Sequence, residues 1–245
     1  MNAFLRKGIG IALLFFYGNS ETHAQIDLSK FEIGLTGGVF IYQGDLTPSP
    51  IGSYRTWRPA VNLFVNRVLS SSFSLRTSLF YGGLRGNDAA YSNPAWRKQR
   101  AFNFNGKALE LSELLVWNAW STNRKFTPYV FGGIGLSFLN IKRDYSNFNG
   151  EFFSNEDLGA RLTEDISHHP PKLIPVVPVG IGVQYSLRKN LSLIGETAYR
   201  LTRTDYLDGF SKAGNPDLYD HYQSHTVGVL YRFGKKNNLN CPTTF

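Results

Sequence analysis

The stretch that decides the fold runs from Leu173 to Asp205, LIPVVPVGIGVQYSLRKNLSLIGETAYRLTRTD. A short break, Arg188-Lys189-Asn190, divides it into two runs. In the first, Val177, Val179, Ile181, Val183, Tyr185 and Leu187 occupy alternate positions, with Pro178, Gly180, Gly182, Gln184 and Ser186 between them. A period of two puts the whole apolar set on one face of a strand. In the second, Leu191, Leu193, Tyr199 and Leu201 oppose Ser192, Glu196, Arg200 and Thr202. Two such runs across a tight connection predict a β-hairpin. The non-apolar face is small and crowded rather than Lys- and Asn-rich, so it reads as an interior. The apolar face then requires an apolar solvent, and lipid supplies one.

Working outward, six more alternating runs join the hairpin. They are Phe31–Gln43, Arg58–Val68, Phe73–Gly83, Lys107–Asn118, Thr127–Leu139 and Tyr222–Phe233. In the fourth, Glu113-Leu114-Leu115 breaks the alternation, and a bulge near Glu113 that turns its carboxylate inward is expected to restore the phase. The connections alternate long and short: Gly44–Trp57, Leu69–Ser72, Leu84–Gly106, Ala119–Phe126, Asn140–Lys172, Arg188–Asn190, Tyr206–His221. Short turns therefore share one rim and long loops the other, the asymmetry of outer-membrane barrels. The fold expected is an all-β, eight-stranded antiparallel up-and-down transmembrane barrel over residues 25–234, with both termini at the periplasmic rim.

Charge placement favours the same assignment. The polar faces carry Glu32, Arg76, Glu110, Glu196, Arg200 and Arg232. An Arg facing mid-depth lipid costs about 2–4 kcal/mol. Turned inward, three acids and three arginines can pair, whereas one partner left alone costs about 3–5 kcal/mol. Phe40, Tyr42, Phe64, Phe80, Tyr129 and Phe131 project the same way, and eight strands leave a lumen that side chains nearly fill. A sealed barrel is expected, not a pore. Phe73, Tyr81, Trp117, Phe138, Tyr185, Tyr199, Tyr231 and Phe233 stand near strand ends as aromatic girdles.

The 245 residues suffice for one sizeable domain. Residues 1–24 read as a secretory signal peptide: Arg6 and Lys7, an apolar run from Gly8 to Gly18, then Thr22-His23-Ala24 before Gln25. No later stretch is apolar for long enough to form a spanning helix. The net charge of +8 suits anionic lipid or polysaccharide. No concentrated basic stripe with interleaved aromatics points to nucleic acid. Cys241 is the one cysteine. No G-x-S-x-G, H-E-x-x-H or Walker pattern occurs, and no catalytic residue, cofactor or metal is expected.

Five segments also resemble, in order, a family of bacterial outer-membrane barrels. They are FEIGLTGGVFIYQGDL (Phe31–Leu46), RPAVNLF (Arg58–Phe64), FSLRTSLFYGGLRGND (Phe73–Asp88), FTPYVFGGIGLSFLN (Phe126–Asn140) and YRLTRTDYLDG (Tyr199–Gly209). That family includes the PorG-type barrel of the type IX secretion system. The resemblance implies an eight-stranded outer-membrane barrel. For the PorG type it implies contact with a periplasmic ring of a PorK-type lipoprotein and a PorN-type partner. That machine exports proteins and, in some bacteria, supports gliding, so the barrel would be an anchor or accessory rather than the conduit. Asn140–Lys172 and Gly234–Phe245 carry no motif of the family.

Four smaller features are candidates for contact. Asp205 and Asp208 could bind a cation or a partner, or cap the loop with local hydrogen bonds. His168 and His169 are adjacent, so a strand-like segment points them to opposite faces, a poor metal geometry. Trp96-Arg97-Lys98-Gln99-Arg100 is a basic loop patch that could touch lipid phosphates or simply be solvated. The tail, residues 235–245, carries Lys235, Lys236 and Cys241 as a contact for ring subunits, or frays as termini do. The leading reading is a non-enzymatic barrel anchored in the outer-membrane lipid within a secretion apparatus. A ligand-binding or adhesion barrel is second, and a soluble lipocalin-like carrier with reversed faces is third.

Overall fold

Each alternating run becomes one strand because only a closed antiparallel ladder gives every backbone group a partner without water. The computed structural model describes residues 27–120, 124–154, 157–215 and 219–234. The expected signal peptide (1–24) and the tail with Lys235, Lys236 and Cys241 lie outside the described residues. The strands are β1 (Phe31–Gln43), β2 (Arg58–Val68), β3 (Phe73–Asn87), β4 (Asn103–Asn118), β5 (Phe126–Asp144), β6 (Leu173–Arg188), β7 (Leu191–Thr202) and β8 (His221–Arg232). Each pairs antiparallel with its neighbours in the chain, and β1 pairs with β8, so the sheet closes into a barrel in chain order. The ladder that leaves β1 at Ile33 passes Val65, Thr77 and Glu113 and returns to β1 at Gln43 through Val177, Leu201 and His221. That stagger is 43 − 33 = 10 residues and requires tilted strands, at ~35–45° in barrels of this kind.

The faces are disposed as a membrane wall requires. Val177, Val179, Ile181, Val183 and Tyr185 are each at least 40% exposed, while Gln184, Ser192, Glu196, Arg200 and Thr202 between and beside them are buried. Valines that look outward and arginines that look inward are the reverse of a soluble carrier. Phe73, Trp117, Phe126, Tyr185 and Tyr231 ring the turn end of the wall; Tyr81 and Phe138 stand toward the loop end. Along β3, Phe73 and Tyr81 are separated by roughly 20 Å of membrane normal, at ~3.3 Å per residue and ~40° of tilt.

Three strands outrun the expected boundaries. β3 continues to Asn87, β4 begins at Asn103 and β5 ends at Asp144. In these extensions Leu84, Phe104 and Ile141 still point inward, but the outward positions become Arg85, Asn105 and Lys142. Above the lipid the outer face is wet, so an apolar alternation is no guide there.

The expected bulge at Glu113 does not form. β4 alternates without interruption, Leu114 and Val116 point inward among Tyr129, Phe131 and Ala198, and Glu113 faces outward. An inward Leu114 completes an apolar interior layer. The cost is a carboxylate on the wall, where it accepts a 2.8 Å hydrogen bond from the Thr77 hydroxyl.

The interior closes by seating rings on glycines. Phe64 lies opposite Gly34, Phe131 opposite Gly180, and Tyr129 opposite Gly182. A Cβ at any of these glycines would fall within the facing ring. The small face that opened the sequence reading is therefore the floor on which the plug rests. Gly182→Val is expected to cost about 1–3 kcal/mol by overpacking. Urea unfolding in detergent checks this; a midpoint equal to the parent's would remove the ring-on-glycine account.

The long loops fold into a cap. Loop one descends over β1 and covers Ile41, and two helices, α1 (Arg97–Arg100) and α2 (Leu158–Ser167), close the loop end. Phe102, Phe104, Leu162, Leu207 and Phe210 join Phe40, Tyr42 and Tyr222 in one apolar cluster that continues from lumen to cap.

Candidate functional site

Inward positions of all eight strands converge on a polar plug. Toward the turn end, Arg232 bonds Glu32 at 2.5 Å, Asn66 bridges Glu32 to Arg76 at 2.9 Å on each side, and Arg76 meets Glu196 at 2.5 Å. The Tyr129 hydroxyl donates to the same Glu196 oxygen at 2.6 Å. Nearer the loops, Arg200 meets Glu110 at 3.0 Å and donates to the Ser224 hydroxyl at 2.5 Å, while Tyr222 donates to Glu110 at 2.9 Å. Aromatic faces hold the guanidinium groups: Arg76 lies 4.0 Å from the Phe64 ring centre and Arg200 4.7 Å from that of Phe80. The structure thus brings the six charged residues named from the sequence together as three ion pairs in two layers. Sequence reasoning missed Asn66 and Tyr129 as linkers, although both occupy inward positions of their strands.

The spaces left between these side chains are small, about 20 Å³ beside Arg76 and Tyr129 and about 10 Å³ between Arg76 and Arg200, the scale of one water. The lumen is a filled core and offers no route through.

The two mouths differ in chemistry. The turn-end mouth is a cleft of about 480 Å³ bordered by Arg124, Lys125, Arg188, Lys189 and Arg232, with Glu32 the one acid among the described residues that line it. The loop-end cap is acidic within. Asp45, Asp208 and Asp220 are buried around Tyr42, whose hydroxyl lies 2.8 Å from Asp208 and 2.6 Å from Asp220. A phenol has one proton to donate. One of the two carboxyl groups must therefore be protonated and donate to the phenol oxygen. The environment agrees: burial pushes both carboxyls well above the usual range, reinforced by Asp45 at Asp208 and by Asp208 at Asp220. Burial also raises Asp45 to about 6, against the pull of Arg100 and Arg97, and Asp205 to about 7.

The loop candidates separate here. Asp208 accepts from the Phe210 amide at 2.8 Å as well as from Tyr42, so it caps the loop and locks it to β1. Neither carboxylate oxygen of Asp205 has a hydrogen bond among the described residues. His168 ends α2, exposed, with Nδ1 on the Glu164 carbonyl at 3.1 Å, and His169 is solvated. Among the described residues no group of three acidic, His or Cys side chains could hold a metal ion. The basic patch at Trp96–Arg100 is not a patch. Arg97 and Arg100 turn inward onto Asp88, at 2.7 and 2.5 Å, and onto carbonyls of Asp45, Thr47 and Ala213, leaving Lys98 outside. A fully buried Asp88 requires those counterions. Asp88, and Asp165 on α2, which accepts from the Ser211, Lys212 and Ala213 amides, were invisible to sequence reasoning because no strand period marks either.

Beside the cap an open cleft of about 800 Å³ is lined by Trp96, Tyr199, Tyr219, His221 and Asp45.

Among solved structures, the chain is similar to the attachment invasion locus protein Ail of Yersinia pestis, crystallised with the heparin analogue sucrose octasulfate. The two share 12% identity over 83% of this chain and 99% of Ail, with a TM-score of 0.44. It is also similar to Neisserial surface protein A (14% identity, 83% and 97% covered, TM-score 0.41) and to the outer membrane enzyme PagL (11%, 83% and 99%, 0.40). A search of curated proteins finds no match. Residues 7–237 match the family model described as a domain of unknown function, DUF6089, and the chain belongs to that family.

Proposed function

We propose that the protein is a non-catalytic outer-membrane barrel that anchors a type IX secretion apparatus, contacting its periplasmic ring through the turn-end mouth. The observation that carries this reading is the mouth itself. Arg124, Lys125, Arg188, Lys189 and Arg232 crowd one concave surface against a single Glu32, which suits an acidic segment of a periplasmic partner. The filled lumen agrees with an accessory rather than a conduit. In sequence, Lys235, Lys236 and Cys241 follow Arg232 and add two basic residues after β8.

Co-purification from detergent tests this. Arg188→Glu with Lys189→Glu should lower recovery of the ring lipoprotein and its partner by roughly tenfold or more, the scale of losing a desolvated charge contact, while the barrel stays folded. Unchanged recovery with both the reversal and truncation after Phe233 would overturn the reading. A second reading, a surface binder, is favoured by the aromatic cleft of Trp96, Tyr199 and Tyr219. It predicts that no ring subunit co-purifies and that Tyr219→Ala abolishes cell-surface ligand capture.

A further inference from the structure

We propose that copies of this chain associate side by side in the membrane, the Glu113 face of one packing against the His225 face of the next. Two polar pairs stand on the lipid wall. On one face the Thr77 hydroxyl donates to one oxygen of Glu113, and the other oxygen has no partner among the described residues. On the other face Thr197 Oγ1 lies 3.0 Å from His225 Nδ1, and Nε2 has no partner among the described residues. Tyr54 stacks on the imidazole at 5.6 Å and fixes its plane. With Thr197 donating to Nδ1, Nε2 carries the imidazole proton, and that donor on one face is complementary to the carboxylate acceptor on the other.

Their positions match as well. Thr77 and Glu113 pair on β3 and β4, Thr197 and His225 on β7 and β8. In an eight-strand barrel these faces are diametrically opposed. The ladder climbs ten residues (43 − 33) per circuit, roughly 25 Å of height at ~3.3 Å per residue and ~40° of tilt, or about 3 Å per strand. Counting back along β7 from Leu201 and along β8 from His221 puts Thr197 and His225 within roughly 3 Å of the height of Glu113. All four lie between the aromatic girdles.

The shapes match too. Around Glu113 the wall carries the branched side chains of Leu79, Leu111 and Ile134. Around His225 it is hollow, a groove of about 460 Å³ where Gly37 and Gly195 supply no side chain and Ile181, Val183 and Val227 form the sides. A simple translation in the membrane plane brings projection to hollow and acid to imidazole at one depth. Such a contact uses two different patches, so it propagates as a row rather than closing as a dimer.

Cysteine crosslinking tests this in full-length protein carrying Cys241→Ser, reconstituted in phospholipid vesicles. Leu115 and Val227 flank the two polar pairs on β4 and β8. With Leu115→Cys and Val227→Cys in one chain, copper phenanthroline should give a ladder of dimers, trimers and longer species. Either cysteine alone should stay monomeric. Adding Glu113→Leu should reduce the ladder by about tenfold or more, the factor for a hydrogen bond to a charged group, with heat-modifiable gel mobility showing that the barrel remains folded. Monomer alone, dimers from a single-cysteine variant, or a ladder indifferent to Glu113→Leu would each overturn the proposal.

Discussion

Arg76→Ala is expected to destabilise the barrel by about 3–5 kcal/mol, because it strands Glu196 in the core without its counterion. Both side chains are nearly inaccessible, and Glu196 otherwise has only the Tyr129 hydroxyl on the same oxygen. Asn66 would lose its link to Arg76 as well and keep Glu32 alone. The penalty belongs to the broken pair and not to the charges as such. Replacing both partners, Arg76→Met with Glu196→Leu, should therefore recover most of it. The comparison at the mouth sharpens the argument: the Arg232 side chain is 33% exposed and its buried partner Glu32 keeps the Asn66 amide and nearby water, so Arg232→Ala should cost less than Arg76→Ala. Reversible urea unfolding in lipid vesicles measures all four proteins. A single Arg76→Ala variant within about 1 kcal/mol of the parent would refute the ion-paired core.

The cap is expected to loosen as pH rises. Asp45, Asp205, Asp208 and Asp220 all hold their protons more tightly in the folded cap than in an open chain, with burial as the first cause. The folded cap then binds more protons than the open one, so its stability falls with increasing pH. The contribution is complete below about 4, the ordinary carboxylate range. It is lost through about 6 for Asp45 and about 7 for Asp205, and later for the pair around Tyr42. Arg97 and Arg100 oppose the trend at Asp45 but are already committed to Asp88. The Leu207 and Phe210 amides donate to Asp220 and Asp208, so their hydrogen exchange reports the cap directly. Corrected for intrinsic rate, protection should drop by about tenfold or more between pH about 5.5 and about 8.5, the factor that ~1.4 kcal/mol gives. Asp220→Asn keeps an amide donor for the Tyr42 oxygen, removes one titrating group and relieves Asp208, so its profile should be shallower. Equal protection at both pH values, or an unaltered slope in Asp220→Asn, would contradict the shared-proton geometry.

The wall and the plug were legible in the sequence because a strand's period of two is rigid. Val177 to Leu187 could face outward only as a set, and that placed Glu196 and Arg200 inside without any knowledge of their partners. Glu113 was misread for an instructive reason. Its neighbours Leu114 and Leu115 are both apolar, and charge was assumed to prefer the interior. The ladder cannot skip a residue cheaply, and Leu114 fills an inner layer beside Phe131. The strand extensions at Arg85, Asn105 and Lys142 were missed because water, not lipid, bathes that part of the wall. The cap was illegible: Arg97, Arg100 and Asp88 are close in sequence, yet nothing periodic announces that their charges turn inward.

The joining of β1 to β8 also limits how any other chain can take hold of this one. A sheet with a free border can recruit an extended segment by backbone pairing, with little regard to its side chains. Here every strand already has two neighbours. Along the closed wall strand addition is therefore shut to a newcomer; the loop-end extensions of β3 beyond Gly82 and of β5 beyond Phe138 pair with β4 alone, and elsewhere recognition falls to side-chain chemistry.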